Sequence, residues 1–177
     1  MQNKLATTKK EQVALIAPEQ LLQGPIPGSL MAIVDDPDAK SLSFYKKADK
    51  LYGFNFLVLA LVELNDQLNI TGKMSNKQIE SAARIIDQKY FFFTPDDFRL
   101  AFIDGITGKY GKIFNRLDIE VLCGWLEEYN MARTEYASNR HIQYKEPYDA
   151  RVGKINNEEA YKQVFSENYN NLKNKKA

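Results

Sequence analysis

The residues with the most chemistry to offer sit close together in one short segment. Lys109, Tyr110, Lys112 and Arg116 lie in and just after GITGKYGK, residues 105–112. Backbone N–H groups converging on an anion, with lysines beside them, make a phosphate cradle when they open a helix after a strand. Here the glycines are three apart and follow a predicted helix, so the pattern matches neither the dinucleotide fingerprint nor the triphosphate loop. Two readings remain. The basic side chains and Tyr110 can contact a nucleic-acid backbone or a partner protein. Alternatively the segment is a tight connection between helices that uses glycine where φ must be positive, and glycines commonly end helices.

The other reactive residues have structural explanations. Acid pairs occur at Asp35-Asp36, Asp96-Asp97 and Glu127-Glu128. Neighbours in a helix do not face each other, so none is a ready acid–base couple. Asp96-Asp97 follows Thr94-Pro95, where a helix dipole favours acids. Cys123 is the one cysteine and His141 the one histidine. If one helix holds both, they are about 27 Å apart, too far for a nucleophile and its base. We read Cys123 as core and His141 as surface. A single His and a single Cys give no zinc site, and no acidic loop has calcium-binding spacing. We therefore expect no catalytic residue, no metal and no cofactor.

Aromatic residues make up 12% of the chain, and Tyr90 to Phe93 is the densest run. It reads either as a stacking platform for unpaired bases or as a junction buried between helices, and burial is the ordinary fate of such area. Tyr136, Tyr144, Tyr148, Tyr161 and Tyr169 lie among lysines and arginines and suit a partner or nucleic-acid surface.

Helices must position these groups. Ser75 to Gln78 has the pattern of a capping box, and Ile79, Ala82, Ala83, Ile86 and Tyr90 follow at helical spacing. Thr94-Pro95 starts a short helix with Phe98 and Phe102. Asp118 caps another, with Leu122, Trp125, Leu126, Tyr129, Ala132 and Tyr136 as its stripe. Upstream, Asp36 with Pro37 predicts a helix start. Ala48, Leu51, Tyr52, Phe56, Leu59 and Val62 then recur as an apolar stripe. FNFLVLALVEL, residues 54–64, is apolar nearly all round, which predicts the most buried helix, with a strand as the rival reading of so short an apolar run. Before that, Glu11 to Ala17 predicts a short helix stopped by Pro18. Gly24, Pro25, Pro27 and Gly28 predict a loop, and Leu30 to Val34 a strand or an anchor. Residues 141–156, with Pro147 and Gly153, read as a linker, followed by a last helix containing Tyr161, Val164, Phe165, Tyr169 and Leu172.

The 177 residues fit one domain with tails and can bury a core without disulfides. The 24 Lys and Arg nearly cancel 23 Asp and Glu, so no global field steers the chain to nucleic acid or an anionic membrane. Residues 51–132 carry net −3 and residues 133–177 net +3, which makes the C-terminal part the better candidate for an acidic partner. Val13 to Ala17 is too short for a signal-peptide core, and no run approaches the ~20 apolar residues of a membrane span. A cytoplasmic protein with no membrane contact is expected.

Five features in residues 75–133 occur in order: the Tyr90–Phe93 run ending a helix, Asp97-Phe98, Gly108 to Gly111, Arg116 to Asp118, and Trp125 to Arg133. This block resembles a group of small, uncharacterised helical proteins of Bacteroides-type bacteria, their mobile elements and phages. The resemblance covers about a third of the chain and carries no catalytic residues to transfer. It implies an all-α protein, and the layout is similar in style to phage replication accessory proteins such as helicase loaders.

The expectation is an all-α orthogonal bundle of about five helices with an extended N-terminal arm. Residues 1–36 would form the arm, 37–140 the core domain, and 141–177 a linker and C-terminal helix. The expected function is a non-enzymatic adaptor of a phage or mobile element in DNA replication. Its partner would be a helicase or virion protein, with DNA as a further contact through Lys109, Tyr110, Lys112 and Arg116. The alternative is a structural or interaction protein, a virion component or host-directed inhibitor, working in the host cytoplasm or the virion.

Overall fold

Ser75 and Gln78 close the capping box that the sequence predicts, with the Ser75 amide donating to Gln78 Oε1 at 2.8 Å. The helix they start runs Asn76–Lys89, and its stripe of Ile79, Ala82, Ala83 and Ile86 is buried. Each buried isoleucine contributes about 1.5–3 kcal/mol by leaving water. The structure is a computed structural model, and it describes residues 16–25 and 27–152. Among these the chain is all-α, with no strand. The helices are α1 Pro18–Gln23, α2 Leu30–Asp35, α3 Leu42–Tyr45, α4 Tyr52–Gln67, α5 Asn76–Lys89, α6 Pro95–Ile106 and α7 Ile119–Val152. The chain divides into two compact units, Met1–Arg133 and Thr134–Ala177.

In the first unit α4 packs chiefly on α5, with α1, α3 and α6 also against it. Phe56, Leu57, Leu61 and Leu64 of α4 meet Ile79, Ala83 and Ile86 of α5, Phe98 and Phe102 of α6, and Leu122, Trp125 and Leu126 of α7 in one core. Phe93 is at the aromatic centre. Its ring lies 5.1 Å from Tyr90, 5.3 Å from Phe98 and 5.5 Å from Tyr129. Gly105 lets α6 approach α7, because a Cβ there would fall inside the Trp125 indole.

A buried charge ties α6 to α7. Asp97 is 0% exposed. Its Oδ2 accepts from the Thr94 amide at 2.8 Å and the Thr94 hydroxyl at 3.0 Å, while the Asp97 amide donates back to Thr94 Oγ1 at 3.1 Å. Its Oδ1 accepts from the Tyr129 hydroxyl at 2.7 Å and from Arg133 Nε at 3.0 Å. Tyr129 and Arg133 are four apart, so one face of α7 presents both.

Several expectations change. Pro18 opens α1, since proline at the first helical position loses no hydrogen bond, and Ile16 and Ala17 before it are not helical. Residues 11–15 of the predicted upstream helix lie outside the described residues. Leu30 to Val34 is helical in α2, neither strand nor extended anchor, because the Ser29 side chain accepts from the Ala32 amide and caps it. The described part of the N-terminal arm is thus helical over 18–23 and 30–35, and Leu21, Leu22 and Leu30 pack on the core. Asp36 ends α2 and does not start the next helix; its carboxylate instead accepts from the Asp38 amide at 2.9 Å. The helix predicted to follow Pro37 and carry the 54–64 stretch is two helices, α3 and α4, joined through turns at Lys46 to Leu51. Four of the about five expected helices fall among the described residues, and these additions and this division bring them to seven there.

The stripe on α4 holds in part: Tyr52 and Phe56 are buried as expected, but the rest of the inward face is shifted. Leu51 is 58% and Val62 39% exposed, whereas Leu57, Leu61 and Leu64 are buried. On a helix apolar all round, periodicity cannot choose the inward side. Residues 141–152 are helical, not linker, and α7 runs through Pro147. A helix already nucleated extends cooperatively, although proline there forfeits one backbone bond. The predicted helix around residues 157–172 lies outside the described residues.

Two substitutions test this packing. Gly105→Ala should overpack against Trp125 and lower stability by about 1–3 kcal/mol in chemical denaturation. Asp97→Ala strands Arg133 and Tyr129 and should cost about 3–5 kcal/mol in the same assay, the loss typical of breaking a buried pair.

Candidate partner-binding loop

The segment joining α6 to α7 is held by short-range bonds at its start. Thr107 Oγ1 donates to the Ile103 and Asp104 carbonyls at 2.9 and 3.1 Å, and the Lys109 amide donates to the Asp104 carbonyl at 2.9 Å. Gly108 and Gly111 have φ of +85° and +102°, where a side chain would be strained. The reading of this stretch as a tight connection with positive-φ glycines therefore holds.

The far half is braced on the loop after α4. Asn115, at φ +54°, accepts from the Thr71 amide at 3.1 Å and donates to Thr71 Oγ1 at 2.8 Å. The Gly72 amide donates to the Asn115 carbonyl at 3.1 Å, and the Leu117 amide to the Gly72 carbonyl at 2.9 Å. Gly72 and Arg116 thus form an isolated parallel bridge. Asp118 then caps α7, accepting from the Val121 amide at 3.1 Å, as its sequence position predicts.

These braces bring Lys109, Tyr110, Lys112 and Arg116 into one loop, but their charges are largely answered within it. Lys109 pairs with Asp104 at 2.6 Å. Tyr110 donates to the same carboxylate at 3.2 Å, and burial, reinforced by the Asp104 charge, pushes its pKa up. Arg116 pairs with Asp118 at 3.3 Å and Glu120 at 3.1 Å. Lys112 is exposed and has no ion pair among the described residues. Three cations facing three carboxylates leave little net field for phosphates.

Sequence reasoning missed the side chain that the loop presents most openly. Phe114 is 83% exposed, while Ile113 beside it packs against the core. The signal was available: of two adjacent apolar residues in a short braced loop, one faces the core and the other water. A large aromatic held out by a fixed backbone is the usual anchor of a protein interface.

The remaining candidates separate in space. Tyr90 and Phe93 are buried, but Phe91 and Phe92 are 49% and 38% exposed, so the aromatic run is half core and half surface. Lys40 and Lys47 lie over the nearby Phe44 ring at 5.8 and 5.9 Å, and the Ser43 amide donates to the Phe91 carbonyl at 2.9 Å. Asp96 pairs with Arg99 at 2.9 Å. Glu127 takes Lys89 at 2.9 Å and the Tyr90 hydroxyl at 3.1 Å, and the lysine hydrogen bond holds its carboxyl below the usual range. Cys123 is half-buried, and burial pushes its thiol up, away from the reactive thiolate. His141 falls in the second unit. Tyr136 is half-buried on α7, while Tyr161 and Tyr169 lie outside the described residues. No cluster of metal-ligating residues occurs among the described residues, and no helix there is long and apolar enough to cross a membrane.

No family model, curated protein or solved structure matches this chain.

Tyr45, Tyr52, Tyr90, Tyr110 and Tyr129 are all raised above 10.0 with burial as the first cause, Tyr52 to about 12. Above pH 10 the unfolded chain releases these protons and the folded one does not. Stability should be intact below that pH and fall progressively as pH rises toward 12 and beyond. Tyrosinate absorbance and far-UV circular dichroism followed together should show these phenols ionising as helix is lost. Ionisation of all ten tyrosines near pH 10 with helix intact would contradict the burial.

Proposed function

We propose that this chain is a non-enzymatic adaptor of a phage or mobile element that binds a protein of the DNA replication machinery through residues 107–118. The observation that carries the reading is Phe114, 83% exposed on a loop braced by Asn115 and Thr71. An aromatic held out by a braced backbone has the character of an interface anchor, which a partner's pocket would bury. Lys112 would sit at the polar rim of that contact. Lys109 and Arg116 act chiefly on their own chain, through Asp104, Asp118 and Glu120, so a protein surface suits this loop better than DNA. The resemblance of residues 75–133 to helical proteins of mobile elements supplies the setting, and the similarity of layout to helicase loaders supplies replication and a helicase as the partner. On this reading the protein works in the host cytoplasm.

A structural role, as a virion component or host-directed inhibitor, is the second reading. Exposed Phe91 and Phe92 beside Lys40 and Lys47 favour it, since aromatic corners of this kind suit lasting subunit contacts.

A tagged pull-down from nuclease-treated host lysate, comparing wild type with Phe114→Ala, tests the adaptor reading. Stability should change by no more than about 0.5 kcal/mol, as for exposed sites generally. A replicative helicase or initiator should be recovered with wild type and lost with the variant. Equal recovery by both proteins, or recovery that nuclease abolishes, would sink the reading; virion proteins in its place would establish the second.

A further inference from the structure

The helix read as apolar on all sides is fully covered on only one, and α1 covers part of the other. Beside the buried row of Phe56, Leu57, Leu61 and Leu64, Val62 is exposed, Leu59 is half-buried, and Phe54 and Val58 pack on the edge of the core. Phe54, Val58, Leu59 and Val62 floor two adjoining depressions of about 560 and 520 Å³ beside α1, which share Glu19 and Leu59. A third, smaller one of about 220 Å³ continues between α1, α4 and α6 and shares Leu22, Glu63 and Gln67 with the first. From Phe54 to Gln67 the groove follows α4 for about 20 Å, the length of nearly four turns of helix.

The rim carries a sign. Glu19, Glu63, Asp66 and Glu80 line the two larger depressions, and none has an ion-pair partner among the described residues. Arg84 is the cation of that stretch, and its guanidinium lies over the Phe54 ring at 4.6 Å. Four carboxylates around an apolar floor repel acidic partners and favour basic ones. An amphipathic helix laid in a groove presents apolar residues at i, i+3, i+4 and i+7 to such a floor. Its flanking lysines or arginines would then meet the carboxylates.

We infer that the outer face of α4 is a docking groove for a basic amphipathic helix of a partner protein. This surface is separate from the Phe114 loop, so either assignment can fail without the other. The groove gives an adaptor a second attachment point, selected by the opposite charge pattern.

Fluorescence anisotropy with the full chain tests it. The probe is a labelled leucine–lysine peptide of about 15 residues with one apolar face, about 22 Å as a helix. The control peptide has the same composition in scrambled order. The patterned peptide should bind and the scrambled one should not. Val62→Lys and, separately, Glu63→Lys should each weaken binding about tenfold, the loss of one anchor or rim contact. Phe114→Ala should leave it unchanged. Circular dichroism confirms that each variant is folded, and the exposed Glu63 provides the test if Val62→Lys is not. Equal binding of both peptides, no binding, or binding untouched by the groove substitutions overturns the inference. So does self-association in sedimentation that Val62→Lys abolishes, because a second copy is then the occupant.

Discussion

The carboxylate of Asp97 has no contact with water, and the helices around it are arranged to answer its charge. A bare carboxylate in a protein interior costs several kcal/mol, so it is retained only where donors converge on it. Thr94 supplies two within the turn, and Tyr129 and Arg133 supply two more from α7. Because those donors are one helical turn apart on α7, satisfying the charge fixes both the rotation and the height of that helix against α6. Arg133 also lies 5.7 Å from the Phe93 ring centre, so the aromatic core and the ion pair constrain the same side chain. Gly105 then permits the close approach to Trp125 that this rotation requires.

The loop between α6 and α7 inherits that constraint. With both helices set, the eleven residues from Thr107 to Leu117 must cross a fixed gap, and they do so with two positive-φ glycines and an Asn115 clamp. A loop braced in this way holds its side chains in place. Lys109 and Arg116 are drawn onto carboxylates of their own chain, Ile113 turns inward, and Phe114 is left outside. The electrostatics of the loop follow from the same closure, since Asp104 belongs to the end of α6 and Asp118 and Glu120 to the start of α7.

The α4 surface has a different origin. One long apolar segment is shared among too few partners: α5 and α6 cover one side, while α1 reaches only part of the other. What stays open is apolar by composition and acidic at its edges through Glu19, Glu63, Asp66 and Glu80. The two exposed surfaces thus arise from two causes, an over-constrained loop and an under-covered helix.

The sequence by itself determined everything set by neighbours along the chain. Helical class, the Ser75 and Thr94 caps, the α5 stripe and the Asp118 start all rest on interactions within one turn or on a regular period. It also placed Lys109, Tyr110, Lys112 and Arg116 in a glycine-punctuated connection. Tertiary structure decided whatever depends on which elements meet. Periodicity could not orient α4, because every side of it is apolar. Composition could not show that Phe91 and Phe92 face water while Tyr90 and Phe93 do not, since the direction of the chain after α5 settles that. Nor could a count of basic residues reveal that Lys109 and Arg116 are already paired, or that Asp97, the third residue of its helix, meets donors more than thirty residues away. Charge and burial are properties of places, and the places exist only once the helices have packed.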